Sequence, residues 1–365
     1  MKVAEFLKRI TEASGVSGAE SEVAGIVAET FRTLADEVHS DALGNVIALK
    51  RGEGLASGEH PRVMLAGHMD EIGLMVTKVE EGFLRFTTVG GFDVRTLLGQ
   101  EVLVHGRRPL RGVIGCRPPH VLTPEENRRV VPLQDLFIDV GYGPEALREL
   151  VQVGNFVTVR REQIELGGGR IAAKALDDRA AVAAIALCLE RLTKRRHQWD
   201  VYAVATVQEE VGLRGAITSA FGVAPQLAIA IDVTFGNQPG VPEHEAVEMG
   251  GGPPIGLGPN FHPKVHERLV ETAKALEIPY QIDPIPGRSG TDAWAIQVTR
   301  EGIPTALLSI PLRYMHTPVE TVDVRDIERT GHLMAEFIGG LDEAFASELG
   351  VQVRRLNGQG GPTCC

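Results

Sequence analysis

The chain has few aromatic residues, and its acidic residues outnumber its basic ones. Phe, Trp and Tyr make up 5% of the 365 residues, so the aromatic rings on which many proteins stack sugars are scarce. The chain has 37 Lys and Arg against 48 Asp and Glu, a formal net charge of −11. A surface of this sign repels nucleic acid phosphates and anionic lipid headgroups. The composition therefore argues against nucleic acid and membrane surfaces as partners.

Cysteine is also rare, with four residues in the chain. Cys116 and Cys188 stand alone in apolar or glycine-rich surroundings, where a reduced thiol is the usual outcome. Cys364 and Cys365 end a glycine-rich tail, NGQGGPTCC, and lack the spacing of a zinc knuckle. A tail of this composition buries too little surface to order itself, so we predict residues 349–365 to be flexible, with no assigned role.

The beginning of the chain has neither the pattern of a secretory signal nor that of a membrane span. In MKVAEFLKRITEA, charged residues alternate with apolar ones at helical spacing, whereas both kinds of signal require a continuous apolar stretch. We therefore expect a cytoplasmic protein.

The chain is longer than a single hydrophobic core usually supports, which predicts more than one unit. Residues 71–163 contain short alternating segments such as GLMVTKV and GFLRFTTV, separated by glycine and proline, and indicate a small β-rich domain. Strands and helices alternate before and after it, which predicts an α/β domain with a mixed, mostly parallel sheet covered by helices on both faces. We expect the α/β domain to comprise residues 1–70 as its first part and residues 164–348 as its second part. The β-rich insert is expected at residues 71–163, and the tail at residues 349–365.

Several elements of the α/β domain can be predicted from hydrophobic periodicity. Two amphipathic helices are expected between residues 3 and 35, split by a Ser- and Gly-rich turn. The other predicted elements are strands at 45–51, 61–67, 199–207, 226–233 and 303–310, and helices at 178–195, 262–276 and 324–341.

Acidic residues or histidines lie at the carboxyl ends of apolar strands, or in the loops just after them, at five places, and Asp232 is expected to end its strand. The segments are LAGHMDEIG with His68 and Asp70, AKALDDRAAV with Asp177 and Asp178, VATVQEEVGL with Glu209 and Glu210, AIAIDVTFG with Asp232, and RYMHTPVE with His316. Each has an ordinary explanation when taken alone, such as a helix cap, a solvated loop or a structural histidine. Open α/β sheets, however, bind ligands at the carboxyl ends of their strands. The recurrence of such residues at strand ends therefore indicates a metal site.

This set supplies two imidazoles and three carboxylates if one acid of each adjacent pair takes part. Mixed nitrogen and oxygen ligands suit zinc, cobalt or manganese. Three carboxylates offset much of the charge of two divalent cations. An imidazole that binds metal commonly donates its other N–H to a carboxylate, a role that suits Asp70 beside His68.

These motifs, in this order, closely resemble metallopeptidase family forty-two, the TET-type dinuclear aminopeptidases. The resemblance runs to about Gly350. It implies a zinc-peptidase-like α/β domain, a PDZ-like insert that mediates dimerisation, and self-assembly from dimers into tetrahedral homododecamers. The expected substrates are short peptides with a free N-terminus.

The resemblance also implies a role for each site residue. His68 and Asp232 would be terminal ligands of one ion, and Glu210 and His316 of the other, with Asp177 bridging both. Asp178 would follow Asp177 across a cis peptide bond. The remaining implied roles are Asp70 as orienter of His68, Glu209 as general base, and Ser289, Gly290 and Thr291 as substrate contacts.

Alternatives remain at this stage. A helix that begins at Thr291 would explain the GRSGTDAW segment without a substrate role. The same metal pair could serve a deacylase or amidohydrolase acting on small amides. Some relatives carry endoglucanase labels, which makes a glycoside hydrolase another alternative, as is a non-catalytic assembly or peptide-binding protein.

Overall fold

The computed structural model describes residues 1–54 and 60–350, so the Cys364–Cys365 pair lies outside the described residues. The helices are α1 Val3–Glu12, α2 Ser21–Arg32, α3 Pro144–Leu150, α4 Leu176–Leu192, α5 Arg214–Val223, α6 Pro263–Ala275, α7 Asp292–Ile296, α8 Val324–Gly339 and α9 Glu343–Glu348. The strands are β1 Glu37–Ser40, β2 Val46–Lys50, β3 Arg62–His68, β4 Gly73–Glu80, β5 Phe83–Val89, β6 Glu101–His105, β7 Pro109–Gly115, β8 Phe137–Asp139, β9 Phe156–Val159, β10 Ile164–Leu166, β11 Arg170–Ala173, β12 Asp200–Thr206, β13 Leu227–Phe235, β14 Pro254–Leu257, β15 Gln281–Pro284, β16 Thr305–Arg313 and β17 Glu320–Asp323.

The larger sheet is mixed, with a parallel centre. Its main order is β1-β2-β12-β3-β13-β16-β17-β11-β10, and β14 joins β16 and β15 at one side. Strands β12, β3, β13 and β16 pair in parallel, whereas the outer strands of the main order pair antiparallel. The central strands are buried on both faces, as their continuous apolar sequences require. The predicted mixed α/β fold is thereby confirmed.

Helices cover both faces of this sheet. One hydrophobic cluster contains residues of α1, α2, α4, α6 and α8, and a second contains residues of α5 and α7. Most residues of α4 are buried, and its many alanines allow the helix to pack closely on β3 and α8. Among the described helices, none is long and apolar enough to cross a membrane.

The strands between β3 and β10 form a separate, smaller sheet. Strands β4, β5, β8, β7, β6 and β9 close into an antiparallel barrel. Its interior is filled by its own side chains, among them Leu74, Val104 and Ile138. The β-rich character expected for this segment is therefore correct.

A buried ionic cluster of Arg179, Glu71 and Lys174 joins the ends of α1 and β3 to the start of α4. Arg179 Nη2 lies 3.1 Å from Glu71 Oε1, and Lys174 Nζ lies 2.7 Å from Glu71 Oε2. Arg179 also donates to the backbone carbonyls of Met69 at 3.0 Å and Ala13 at 2.8 Å. Its side chain is fully buried. This cluster holds together the segments beneath the candidate site.

We expect Arg179→Met to lower the free energy of unfolding by about 3–5 kcal/mol, because removal of one partner leaves buried polar groups unpaired. Denaturant titration would measure this loss. Arg9→Met is the matched control, since Arg9 pairs with Glu29 on the exposed surface and should change stability by less than about 1 kcal/mol. Equal losses in the two variants would contradict the prediction.

Candidate active site

The predicted site residues converge at the carboxyl edge of the parallel strands. His68 is the last residue of β3, Glu209 and Glu210 follow β12, and His316 follows β16. Asp232 lies inside β13, which continues to Phe235. The expectation that Asp232 ends its strand is therefore wrong. The strand extends because its last residues remain paired with β16.

Asp177 lies between the two histidines. Its Oδ1 is 3.1 Å from His68 Nε2, and its Oδ2 is 3.3 Å from His316 Nε2. Glu210 Oε1 lies 3.5 Å from the same nitrogen of His316. The Asp177–Asp178 peptide bond is cis, where the resemblance implied such a bond. The two oxygens of one carboxylate thus face two separate imidazoles, the arrangement that a bridging ligand requires.

Within residues 1–54 and 60–350, two groups of side chains are close enough to bind a metal ion. In each group the ligand atoms lie within 4.8 Å of one another; the groups are His68, Asp178 and Asp232, and His68, Asp177 and Glu210. The first group contains Asp178, although the resemblance implied Asp177 beside His68 and Asp232. Asp178 also accepts hydrogen bonds from the backbone N–H of His68 at 3.3 Å and of Ala181 at 3.4 Å.

Asp70 connects His68 to the loop that carries the paired glutamates. Its Oδ1 lies 3.4 Å from His68 Nδ1 and accepts from the Glu209 N–H at 3.0 Å. Its Oδ2 accepts from the Glu210 N–H at 3.3 Å and from Ser17 Oγ at 2.6 Å. β3 ends at His68, and the short segment that follows it brings Asp70 to the imidazole.

Burial and neighbouring carboxylates raise the pKa of several acids in the site. Burial, reinforced by Asp232 and Asp292, raises the pKa of Glu209 to about 10, and burial with Asp177 raises that of Glu210 to about 7. Burial likewise raises the pKa of Asp232 well above its usual value. The protein itself therefore supplies too little positive charge for these carboxylates, and divalent cations would compensate for it.

The pKa values of the two histidines are also raised, because nearby carboxylates favour the charged imidazole. A hydrogen bond with Asp177 raises the pKa of His316 to about 9, against the effect of burial. Burial also disfavours the charged form of His68, yet hydrogen bonds with Asp177 and Asp70 raise its pKa well above the usual value. Protons and metal ions would thus compete for these imidazoles. Two imidazoles beside carboxylates are a donor set that fits zinc or cobalt.

A cavity of about 460 Å³ opens onto these residues. Its walls include Ser289, Gly290 and Thr291, the predicted substrate contacts, together with Arg288 and Phe235. Thr291 immediately precedes α7, and its side chain does not cap that helix. Thr291 Oγ1 instead lies 2.9 Å from Ser289 Oγ. The helix-start explanation and a place beside the cavity are therefore compatible.

Three further polar residues near the site were not predicted. Ser17 binds Asp70, Glu320 accepts backbone hydrogen bonds from Asp177 and His316, and Asp292 accepts from Thr206 at 2.6 Å. Ser17 gives no sequence signal, because its partner is distant in the chain. Glu320 had a weak signal, an acid that closes the quoted segment RYMHTPVE.

The fold and site together define an α/β protein whose imidazoles and carboxylates form a metal-type cluster at the carboxyl edge of a sheet. The chain belongs to the M42 glutamyl aminopeptidase family, whose model matches residues 44–333. Peptidases of this family depend on metal ions, and membership supports aminopeptidase activity.

Similarity to known proteins extends over nearly the whole chain. The lysyl aminopeptidase of Pyrococcus furiosus is 39% identical over 332 residues, which cover 89% of this chain and 94% of that protein. An aminopeptidase structure from Desulfurococcus kamchatkensis has 41% identity and a TM-score of 0.88, and covers 96% of this chain and 98% of its own. The TET1 peptidase of Pyrococcus horikoshii has 34% identity and a TM-score of 0.82, and the match covers 93% of this chain and 100% of that chain. That peptidase can assemble into a tetrahedron or a large octahedral shell.

Proposed function

We propose that this protein is a dinuclear metallo-aminopeptidase that removes N-terminal residues from short peptides. The observation that carries the proposal is the position of Asp177, whose two carboxylate oxygens face His68 and His316 at 3.1 and 3.3 Å. A shared carboxylate between two sets of ligands is what a pair of ions requires. Zinc and cobalt are the favoured ions, with manganese as a third candidate.

The proposed ligands of the first ion are His68 and Asp232, those of the second are Glu210 and His316, and Asp177 serves both. The presence of Asp178 in one of the two close groups makes it the alternative to Asp177 at the first ion. Bound there, the ions would lower the pKa of a water molecule and polarise the scissile carbonyl.

Glu209 is the proposed general base. Its Oε2 lies 3.8 Å from His68 Nε2, and its side chain is about nine-tenths buried on the wall of the cavity. It would take a proton from the attacking water and pass it to the leaving amine. Asp70 would hold Glu209 in place, because its Oδ1 accepts from the Glu209 backbone N–H.

The cavity also suits the N-terminus of a peptide. The carboxylates on its wall favour a protonated α-amine, while Ser289, Gly290 and Thr291 lie on the wall near the start of α7. We propose these three residues as contacts for the peptide backbone.

We propose that residues 71–163 form a PDZ-like dimerisation domain inserted between the two parts of the catalytic domain, 1–70 and 164–348, with 349–365 as a tail. The closed barrel formed by β4 to β9 supports this division. The similar Pyrococcus horikoshii TET1 peptidase, which can assemble into a tetrahedron or a large octahedral shell, supports self-assembly, and we propose a tetrahedral homododecamer built from dimers.

Hydrolysis of amino-acyl p-nitroanilides tests the proposed activity. The panel comprises Leu, Lys, Glu and Ala derivatives with free amines and the same compounds N-acetylated, before chelation, after chelation and after Co²⁺ or Zn²⁺ is added back. We expect release only from free-amine substrates, loss on chelation of at least about 100-fold, and recovery with metal.

The other outcomes distinguish the alternatives. Hydrolysis of the acetylated compounds alone would identify a deacylase. Cleavage of a glycoside, with no cleavage of any anilide, would identify a glycoside hydrolase. Phe235 is the one Phe, Trp or Tyr residue that lines the described cavity, so few rings are available there for a sugar to stack on. Metal-independent activity, or none, would contradict the proposed function.

A further inference from the structure

Glu320 is a buried carboxylate between the loops that carry Asp177 and His316. The residue is 2% exposed. The backbone N–H of Asp177 donates to Glu320 Oε2 at 3.0 Å, and the backbone N–H of His316 donates to Oε1 at 2.9 Å. One carboxylate thus binds the main chain of both residues, one oxygen to each.

The sheet explains why Glu320 reaches both loops. It is the first residue of β17, which lies between β16 and β11. Glu320 pairs with Ala173 of β11, and the next residue, Thr321, pairs with Arg313 of β16. β11 leads into Asp177 and β16 leads into His316. Glu320 therefore stands where both loops leave the sheet.

Regular secondary structure does not set the positions of the two residues. Asp177 has φ −77° and ψ 105°, outside the helical region although α4 begins one residue earlier. His316 has φ 60°, in the left-handed region that is uncommon for residues other than glycine. Such backbones need specific partners to hold them, and Glu320 supplies one for each.

We propose that Glu320 is a positioning residue that holds Asp177 and His316 in the arrangement that binds a divalent cation. The inference rests on the proposed metal site. Glutamine has the same shape as glutamate, but it offers one oxygen, and its NH₂ group would face a backbone N–H. Loss of a residue that holds a metal ligand in place typically weakens metal affinity about 10–100-fold.

Calorimetric titration of the metal-stripped full-length protein with Co²⁺ tests this inference independently of catalysis. For Glu320→Gln we expect the dissociation constant of at least one Co²⁺ ion to rise about 10-fold or more. For Glu320→Asp we expect a similar loss, because the shorter side chain keeps the charge but cannot reach both N–H groups. Wild-type affinity in Glu320→Asp would mean that charge alone matters, and would overturn the positioning role.

Asp326→Asn is the matched control. Asp326 is a fully buried carboxylate on α8 that accepts from the backbone N–H groups of Gly250 at 2.6 Å and Gly252 at 2.9 Å. Its substitution removes the same kind of interaction away from the site and should change Co²⁺ affinity less than about 2-fold. An equal loss of Co²⁺ affinity in this control would mean that the Glu320 variants act by destabilising the protein in general, and would overturn the inference.

Two further results would separate this inference from the proposed function. If the wild-type protein binds Co²⁺ and Glu320→Gln binds it equally well, the positioning role is wrong and the proposed function stands. If the wild-type protein binds no Co²⁺, both fail. Should Glu320→Gln not fold, Glu320→Asp is measured against the same criteria.

Discussion

Glu209→Gln is expected to lower kcat on a cleavable amino-acyl anilide by about 10²–10⁴-fold, the usual contribution of a general base. Glutamine keeps the shape of the side chain but cannot accept a proton from water at neutral pH. Burial and the nearby Asp232 and Asp292 raise the pKa of Glu209 to about 10. Bound cations would lower that pKa, so the base would be available only in the metal-loaded protein.

Measurement of kcat and of bound metal in the same preparations checks this prediction. Glu209→Gln should retain the metal content of the wild-type protein, because its proposed role is proton transfer. A matched surface variant, Glu301→Gln, changes an exposed glutamate and should leave kcat unchanged. Glu209→Gln with more than about a tenth of the wild-type kcat would exclude Glu209 as the base.

Asp177→Asn should have the second large effect, a loss of metal binding of more than about 100-fold together with loss of activity. Removal of a residue that only supports a ligand typically weakens metal affinity about 10–100-fold. Asp177 faces both His68 and His316 directly, so its removal should weaken metal affinity more. Hydrogen bonds with these histidines hold the pKa of Asp177 below its usual range in spite of burial. The carboxylate is therefore ionised and available to a cation.

Equilibrium competition with a chelator measures this loss, and denaturant titration shows whether the variant is folded. Asp326→Asn again provides the control for the removal of one buried carboxylate. Asp178→Asn tests the alternative ligand, because Asp178 shares a close group with His68 and Asp232. If Asp178→Asn weakened metal binding and Asp177→Asn did not, Asp178 would be the ligand beside His68 and Asp232, and the bridging role of Asp177 would be excluded.

The order of the main elements and the identities of the proposed ligands could be predicted from the sequence. Continuous apolar runs indicated β3, β12, β13 and β16, and the long alanine-rich stretch indicated α4. The short strands β11, β14 and β17 were missed, as was α5, whereas α7 begins one residue after Thr291, where a helix start was one of the interpretations. The three strands have four residues each, too few to show a clear period, and they depend on the pairing that the strands on both sides offer.

The sequence by itself determined which chemistry is available, because the residue type fixes the donor atoms and strand ends bring such residues to one edge of the sheet. Only the tertiary structure decided which groups meet. The two oxygens of Asp177 face opposite histidines, Ser17 reaches Asp70, and Glu320 joins two loops through backbone N–H groups. Except for the hydrogen bond from the His316 N–H to Glu320, these contacts join residues far apart in the chain. Their geometry depends on strand register and loop conformation, which local sequence patterns do not encode.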